Sequence, residues 1–372
     1  MDITFLVGNG FDLSLGYRTA YDNFYRYYDW ASKDPVHQEA IDSLKASIKR
    51  DIEKNKKLNK ESNWVDFEIG LGIFTKEFNG SVDEFIAVYN DAVKHLCKYL
   101  ESVERKGIAF NCIKESEWDE IRKNLCYFFM ELENYNERSF FVKLKQITQG
   151  AGSSATFHFV SFNYTNFLDK CVEKLAQKPL ETWSRGPEKH QHVVDPEVYH
   201  VHGTINDFPV VGVSDEEQIL KPEFRTNNQL RTIMIKPNEI TEFDPTRANE
   251  MNNIIQKSSI ICLWGSSLGA SDKHWWIKIN EWLKNDTNRH IFIFKHTDSP
   301  PPRLITESIQ RKIDEANHLL CYSDYSDEEK QGLMDRIHVI YNTEKVLVFS
   351  KIYKPNLYPS YRGPAGEKDN VQ

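Results

Sequence analysis

The chain opens with a buried-strand pattern that runs directly into a glycine turn. Residues 3–7 read Ile-Thr-Phe-Leu-Val, an apolar run rich in β-branched side chains, and residues 8–10 read Gly-Asn-Gly. Residues 11–13, Phe-Asp-Leu, then look like the start of a helix. A strand, a glycine turn and a helix start leave backbone N–H groups at the positive end of a helix, where phosphate binds well. This opening predicts an α/β fold with a nucleotide-binding turn after its first strand.

Small or polar residues also follow three later strand patterns. These segments are Ser161–Thr165, His200–Thr204 and Trp264–Gly269. In an open parallel sheet, ligands bind outside the carboxyl ends of the strands. We therefore expect one nucleotide site that is assembled from the glycine turn and these three segments.

Strand and helix patterns alternate over most of the chain. The strand patterns cover residues 3–7, 156–162, 198–202, 258–264, 290–294 and, as a last strand, 346–349. This alternation predicts a doubly wound, mostly parallel Rossmann-like α/β sheet with helices on both faces. The long stretch between the first two strands is helical in pattern and predicts a large helical insertion.

These patterns divide the chain into three parts. We expect a Rossmann-like nucleotide-binding core at residues 1–34 and 151–350, a helical insertion or cap at 35–150, and a loosely ordered tail at 351–372. Residues 179–195 contain Pro and His and are expected to form a loop. Residues 206–250 are interrupted by prolines, so a lid or insertion without an assignable role is expected there.

Composition and charge exclude several classes of protein. The net charge of −8 does not fit a nucleic-acid-binding surface over the whole chain, although residues 49–60 form a local basic run. The six cysteines are scattered without a C-x-x-C pair, which favours reduced thiols and no metal site. We see no signal-peptide pattern and no apolar run of the roughly 20 residues that span a membrane. We therefore expect a cytoplasmic protein without membrane contact.

Two polar residues at strand ends are the candidates for catalysis. Asn163 offers a donor and an acceptor that could orient a ribose hydroxyl or a water, or could instead cap the next helix. His202 precedes Gly203, and its imidazole could take a proton near neutral pH or simply be a packed strand-end histidine. His200 has the same strand parity as His202, so one face could carry both. A metal-binding pair is not expected, because no acidic or cysteine cluster completes a ligand set.

The small residues after the strand pattern at 258–264 form a second candidate phosphate or ribose site. Gly265, Ser266 and Ser267 offer amides and hydroxyls, and Asp272 could accept from a ribose hydroxyl or cap the next helix. The segment matches G-x-S-x-G only formally, and a serine hydrolase is disfavoured.

An aromatic–acidic cluster stands apart in the helical stretch. In Trp64–Glu68, the carboxylates of Asp66 and Glu68 flank Phe67 and could cap a helix start. They could instead contact a ribose or a partner subunit. The aromatic-rich helix pattern at residues 17–30 predicts core packing, with base or nicotinamide stacking as the alternative.

Five motifs together resemble a known family. In chain order they are Val7–Leu13, Trp64–Glu68, Phe162–Thr165, His200–Gly203 and Gly265–Gly269. The set is similar to the AbiH family, which is associated with bacterial abortive infection against phage. The resemblance spans residues 1–300 and implies a role in antiphage defence.

The turn motifs also resemble the sirtuin-type Rossmann fold. There a glycine turn binds the pyrophosphate of NAD, an Asn lies beside the nicotinamide ribose, and a His before a Gly acts as base. The resemblance implies that Asn163 and His202 are catalytic. It further implies nucleotide contacts from Gly8, Asn9, Gly10, Phe11, Asp12, Gly265, Ser266, Ser267 and Asp272. The chain lacks the four-cysteine zinc module of protein-deacetylating sirtuins, so the resemblance implies NAD cleavage without a metal.

The leading hypothesis is therefore an antiphage protein whose sirtuin-like core hydrolyses NAD+ to nicotinamide and ADP-ribose. Asn163 would position water or the ribose diol, and His202 would accept a proton. The alternative is a non-catalytic nucleotide-binding sensor or scaffold of a phage-defence complex. In either case we expect a homo-oligomer, with a phage-derived trigger or a partner defence protein.

Overall fold

One mixed sheet organises the molecule. The computed structural model describes residues 1–58, 62–105, 113–296, 304–341 and 346. The strands in these ranges are β1 (Asp2–Val7), β2 (Thr156–Ser161), β3 (Glu181–Arg185), β4 (Glu188–His200), β5 (Ile260–Trp264), β6 (His290–Phe294) and β7 (Ile337–Ile340). Their spatial order is β3-β4-β2-β1-β5-β6-β7. Neighbours are parallel except β3 and β4, which pair antiparallel at one edge. The predicted doubly wound, mostly parallel α/β sheet is confirmed.

Helices connect the strands. Those between β1 and β2 are α1 (Gly10–Ser14), α2 (Tyr21–Ala31), α3 (Gln38–Leu58), α4 (Phe67–Phe74), α5 (Val82–Glu104), α6 (Glu115–Cys126) and α7 (Tyr135–Gly150). Those after β2 are α8 (Phe167–Leu175), α9 (Pro222–Arg225), α10 (Asn228–Met234), α11 (Lys236–Phe243), α12 (Pro245–Lys257), α13 (Lys273–Asn285), α14 (Ile305–Leu320) and α15 (Asp327–Met334). Within the described ranges, no helix is both long enough and apolar enough to cross a bilayer.

The direction in which the sheet is filled reverses beside β1. From β1 the chain adds β2 and β4 on one side, and it then returns to add β5, β6 and β7 on the other side. In doubly wound sheets such a switch point opens a crevice outside the carboxyl ends of the strands, where ligands bind. Here the switch point lies between β1 and β5, the two strands that carry the predicted glycine turns.

Successive strand residues face opposite helical layers, as the two-residue period of a strand requires. Phe5 and Phe159 belong to an apolar cluster with α6, α7 and α8 on one face. Leu6 and Val160 belong to a second cluster with α12, α13 and α14 on the other face. Because both faces are covered, the central strands read as nearly continuous apolar runs.

A third apolar cluster lies away from the sheet. It joins α2, α3, α4 and α5, which we call the helical lobe, to residues 205–235. By contrast, α6 and α7 pack directly on the sheet. The predicted insertion at 35–150 thus contributes to two cores. The helical lobe also includes α2, which lies before residue 35. The proposed domain boundaries stay a prediction, and the tail at 351–372 lies outside the described residues.

Some local predictions were wrong. Residues 179–195 form β3 and most of β4 instead of a loop; their largely polar side chains fit an exposed edge hairpin, which lacks an apolar strand pattern. The lid or insertion expected at residues 206–250 stays a prediction. This segment contains α9, α10, α11 and the start of α12, each with Pro or Asn at or next to its first residue. The strand β7 was missed, and the strand expected at 346–349 lies, apart from Val346, outside the described residues.

The turns after β1 and β5 pack backbone against backbone. The N–H of Gly8 donates to the carbonyl of Trp264 at 2.9 Å, and the N–H of Gly10 donates to the carbonyl of Gly265 at 2.8 Å. A Cβ added to Gly10 would lie 2.6 Å from the Cα of Gly265, and one added to Gly8 would lie 2.8 Å from its carbonyl oxygen. Glycine is required at these positions because the two backbones approach each other so closely. The N–H groups of Gly8 and Gly10, which were expected to face a phosphate, donate to carbonyls of the protein instead.

We predict that Gly10→Ala destabilises the fold, because the new Cβ meets backbone that cannot rotate away. Overpacking of this kind costs about 1–3 kcal/mol of unfolding free energy. Gly150→Ala is the matched control, since its Cβ meets nothing within 4 Å at the end of α7. Denaturant unfolding should show the control as neutral or about 0.4–1 kcal/mol more stable. Equal effects of the two substitutions would contradict this account of the turn.

Candidate active site

His202 lies in the turn after β4 and is only 2% exposed. Its backbone carbonyl accepts from the N–H of Val210 at 2.8 Å, which closes the turn. The ring Nε2 lies 2.7 Å from Oδ1 of Asp272, while the buried Nδ1 has no hydrogen-bond partner among the described residues. An ionised Asp272 places the ring proton on Nε2 and leaves a lone pair on Nδ1. An imidazole oriented in this way can act as a general base.

Aromatic rings fix the plane of this imidazole. Phe162, directly after β2, meets the His202 ring edge-on with centroids 5.5 Å apart, and it stacks on Trp276 of α13 at 5.4 Å. The tilted ring of Tyr164 lies 6.5 Å away. The imidazole is therefore held by packing as well as by Asp272.

Asp272 ends the short 3-10 turn between β5 and α13. Its N–H donates to the carbonyl of Gly269 at 3.2 Å, which keeps the residue beside the end of β5. Burial acts to raise the pKa of Asp272, but the charge of Lys236 and the hydrogen bonds from Lys236 and His202 outweigh burial and hold this pKa well below its ordinary value. Asp272 is therefore a carboxylate throughout the physiological range.

Lys236, the first residue of α11, is completely buried. Its Nζ lies 2.9 Å from Oδ1 of Asp272 and 2.8 Å from Oε2 of Glu68. Burial alone would lower the pKa of Lys236, but the two carboxylates outweigh burial and raise it above its ordinary range. The ammonium group is therefore a permanent positive charge inside the protein.

Glu68 brings the helical lobe into the site. It lies in the first turn of α4, where Asp66 caps the helix by accepting from the N–H groups of Glu68 and Ile69. The Tyr164 hydroxyl donates to Oε1 of Glu68 at 2.7 Å. Burial raises the pKa of Glu68, and Lys236 opposes that rise. We call the residues His202, Asp272, Lys236, Glu68 and Tyr164 the buried network.

Asn163 lies in a separate set of hydrogen bonds. Its Nδ2 donates to the carbonyl of Gly8 at 3.2 Å and to Oδ1 of Asp12 at 3.1 Å, so it ties the turn after β2 to the turn after β1. Thr165 donates its hydroxyl to the other oxygen of Asp12 at 2.5 Å. The Asn163 carboxamide neither caps α8 nor hydrogen-bonds to His202. Its catalytic role stays a prediction.

The other predicted nucleotide contacts have partners within the protein. The Asn9 side chain exchanges hydrogen bonds with Thr19, and Phe11 packs edge-on against Trp264 with centroids 5.6 Å apart. The Ser266 hydroxyl accepts from the N–H of Leu268, whereas Ser267 is exposed. Together with Gly8, Gly10 and Gly265 they surround the switch point. Their contact with a nucleotide stays a prediction.

His200 and His202 do not share a strand face. The strand β4 ends at His200, and the chain turns before His202. Nε2 of His200 lies 3.0 Å from Oδ2 of Asp169 on α8, whereas His202 faces Asp272. The parity argument was wrong because it assumed that the strand continued for two more residues.

Positive φ angles at residues other than glycine occur twice in the described chain, and both flank the buried network. Leu268, with φ of 54°, lies in the turn before Asp272, and Phe208, with φ of 40°, follows His202 in the next turn. Bulky residues rarely adopt such angles, which cluster at functional sites. The positive φ angles in the G-x-S-x-G segment fall on Leu268 and Gly265, not on Ser267, so no strained serine elbow is formed.

A different set of side chains lies near the start of β2. Cys126, Glu181 and His192 are the one group of His, Cys and carboxylate atoms in the described ranges that is compact enough for a metal ion. However, Nδ1 of His192 accepts from the N–H of Ala155, so Nε2 of a neutral ring keeps its proton and cannot ligate. The ammonium of Lys145 also lies 2.6 Å from Glu181. This set is a poor metal site.

Sequence reasoning found two members of the buried network as candidates, His202 and Asp272. Glu68 was noted only as a cap or ribose contact, and Lys236 lay in a segment without an assigned role. Tyr164 belonged to a motif but had no separate role. The sequence did offer a signal for Glu68. It is a charged residue at the start of an apolar helix that Asp66 already caps, so its own carboxylate needs another partner. Lys236 offered no such signal.

The burial of Asp12 generates a pH prediction. Burial raises the pKa of Asp12 from 3.8 to about 7 despite its bonds to Thr165 and Asn163. The folded protein thus binds more protons than the unfolded chain between these values, and stability falls as pH rises through the window. Asp12→Asn should remove that loss, so its stability relative to wild type should rise by about 2–3 kcal/mol between pH 5 and pH 8.

Denaturant unfolding of both proteins at pH 5 and pH 8 measures this difference. Asp42→Asn is the control, because it removes a carboxylate that lies exposed at the surface. Parallel profiles of wild type and Asp12→Asn would contradict the assignment.

The strained residue Phe208 generates a second prediction. Its side chain is 82% exposed, so removing the ring loses little packing. Phe208→Gly relieves the positive φ, whereas Phe208→Ala keeps it. The glycine variant should therefore be about 1 kcal/mol more stable than the alanine variant. Thermal unfolding of the two variants compares them directly, and an alanine variant at least as stable as the glycine variant would exclude strain at this position.

The comparisons with known proteins agree with one of the two resemblances. A profile of the family described as bacteriophage abortive infection AbiH matches residues 4–294, which include β1 to β6 and the whole buried network. No curated protein and no solved structure matches the chain. The sirtuin resemblance therefore stays a prediction. Because the family match covers most of the chain, this protein belongs to the bacteriophage abortive infection AbiH family.

Proposed function

We propose that this chain acts in abortive infection by hydrolysing NAD+ to nicotinamide and ADP-ribose. Family membership supports the defence role. The observation that carries the proposed chemistry is the pairing of His202 with Asp272, 2.7 Å apart, with a buried Nδ1 that has no hydrogen-bond partner in the described chain. This pair lies beside the switch point of the sheet, where doubly wound folds bind nucleotides.

The proposed reaction begins with loss of nicotinamide. The positively charged pyridinium ring leaves as a neutral molecule, and C1′ of the ribose becomes oxocarbenium-like. A water molecule then attacks C1′ and gives a proton to Nδ1 of His202. The imidazolium that results is stabilised by the Asp272 carboxylate on its Nε2 side. No external acid is needed, because the leaving group departs without taking up a proton.

The two turns at the switch point would hold the rest of the nucleotide. In this proposal the Gly8–Gly10 turn and the hydroxyls of Ser266 and Ser267 face the pyrophosphate and the riboses. Asn163 would position the water or the ribose diol, which requires it to exchange its bond to Asp12 or Gly8 for one to the substrate. NAD+ is thus a substrate, and the mechanism uses no metal.

The burial of His202 fits an activity that is silent until infection. Since the side chain is 2% exposed, NAD+ can reach Nδ1 only if the adjoining turn or the helical lobe moves. A trigger that favours the open arrangement would therefore switch on hydrolysis by shifting a population. A phage-derived molecule or a partner defence protein is the proposed trigger.

The second candidate is a nucleotide-binding sensor or scaffold without turnover. The bonding of Asn163 to Gly8 and Asp12, together with the Gly10 amide on Gly265, favours it. These groups are already satisfied within the protein, as expected of residues that hold two turns together. This candidate predicts that nucleotide is bound and not consumed.

The test is the level of NAD+ in phage-challenged bacteria that express wild type or a variant. We expect NAD+ to collapse with wild type and to persist with His202→Ala or Asn163→Ala. Loss of a general base should slow hydrolysis by about 10²–10⁴-fold. His290→Ala is the control, because His290 lies at the opposite, amino end of the sheet and outside the buried network.

Each outcome separates the two candidates. Hydrolysis at the proposed site is supported if NAD+ collapses with wild type and with His290→Ala, and persists with His202→Ala and Asn163→Ala. Protection from phage with NAD+ unchanged overturns it. Calorimetry on the purified protein would then show whether nucleotide is bound without loss, as the sensor or scaffold requires.

A further inference from the structure

We propose that Lys236 and Glu68 are positioning residues for the His202–Asp272 pair, so that helix α4 of the helical lobe completes the candidate active site. The inference rests on the proposed function in taking His202 as the base. It goes beyond that function because it assigns a positioning role to two residues that do not contact the reacting atoms. Two separate contacts and the charge of the set carry it.

The first contact fixes the carboxylate. Oδ1 of Asp272 accepts from Nε2 of His202 at 2.7 Å and from Nζ of Lys236 at 2.9 Å. Because both donors use the same oxygen, the position of the ammonium determines where that oxygen lies relative to the imidazole. Lys236 thereby sets the direction of the bond that holds the His202 tautomer.

The second contact anchors Lys236 from the opposite side. Oε2 of Glu68 lies 2.8 Å from Nζ, and Oε1 of Glu68 accepts from the Tyr164 hydroxyl at 2.7 Å and the Gly212 N–H at 3.3 Å. Glu68 and Lys236 are both buried. A buried ion pair of this kind is costly to form and is often replaceable by apolar residues without loss of stability. Its position next to a candidate base gives it a role other than stability.

The third argument is the charge of the set. The partners of the Glu68 carboxyl group are donors, namely Lys236 Nζ, the Tyr164 hydroxyl and the Gly212 N–H, so its ionised form fits these contacts. With Glu68 and Asp272 ionised and Lys236 protonated, the set carries a net charge of −1 when His202 is neutral and none when its imidazole takes a proton. The set is therefore arranged to stabilise the imidazolium that forms in the reaction. Removing Lys236 makes the surroundings of His202 more negative, whereas removing the charge of Glu68 makes them less negative. The two changes should shift the basicity of His202 in opposite directions.

Other charged and titratable groups also face this set. They are Tyr21 from α2, Asp66 at the start of α4, Tyr164 after β2, Glu239 from α11, Arg247 from α12 and His274 from α13. Lys236 lowers the pKa of Glu239 and Glu68 raises it, so the charge of Glu239 responds to both variants and partly offsets the shift of His202 in each.

The test is a titration of His202 by NMR on the full-length protein with ¹⁵N-labelled histidine, assigned with His202→Ala. Wild type should show the proton on Nε2. Glu68→Gln should increase the acid dissociation constant of the imidazolium about tenfold, and Lys236→Met should decrease it by a similar factor. Lys236→Arg keeps the charge and should restore a value near that of wild type.

Lys145→Met is the matched control for loss of a partly buried, ion-paired lysine. Lys145 pairs with Glu181 at 2.6 Å near the amino ends of the strands, and its removal should leave the His202 titration unchanged. If Lys236→Met does not fold, Glu68→Gln, which keeps the size of the side chain, carries the test alone. An unchanged His202 titration in folded Glu68→Gln overturns the proposal, as do shifts of the same sign in both variants.

The readout needs no substrate, so it is independent of the proposed reaction. Opposite shifts in a protein that leaves NAD+ intact would support the positioning role and reject hydrolysis. NAD+ consumption by wild type and by Glu68→Gln at equal rates, with an unchanged His202 titration, would support hydrolysis and reject the positioning role.

Discussion

The contact between the turns after β1 and β5 is the constraint on which the site depends. Gly10 and Gly265 approach so closely that no side chain fits between them, and two backbone hydrogen bonds hold the turns together. This contact brings the strand ends on both sides of the switch point to one place. The segments that follow, with Asn163 and His202 on one side and Asp272 on the other, can then meet above the sheet.

Two polar networks occupy this region, and they differ in charge. Around Asp12 the partners are the neutral donors Asn163 and Thr165, and burial raises the pKa of the acid to about 7. Around Asp272 the partners are Lys236 and His202, which hold its pKa low. Two aspartates at neighbouring strand ends thus have opposite protonation behaviour. The neutral set suits a structural tie between turns, and the charged set suits proton transfer.

The sequence predicted the parts of this structure whose signal is local. Central strands such as residues 3–7 and 258–264 are buried on both faces and therefore read as apolar runs, and small residues marked the turns after them. The candidate residues His202 and Asp272 followed from their positions at strand ends. The β3–β4 hairpin was missed because an exposed edge carries polar residues. Lys236 was missed because its partners lie in segments far apart in sequence, and a single lysine gives no sign of burial.

The burial of the charged network and the strain beside it are linked in the proposed function. A closed site keeps water from the His202–Asp272 pair and strengthens its electrostatic interactions. The same closure denies access to a substrate, so the turn that contains Phe208 or the helical lobe must move. Backbone held at an unfavourable φ raises the free energy of the closed arrangement by about 1–3 kcal/mol, which lowers the free energy needed to open it. Glu68 connects α4 directly to Lys236 and Asp272, so a ligand that opens the site by binding the lobe must prefer the open arrangement by at least the free energy that opening costs.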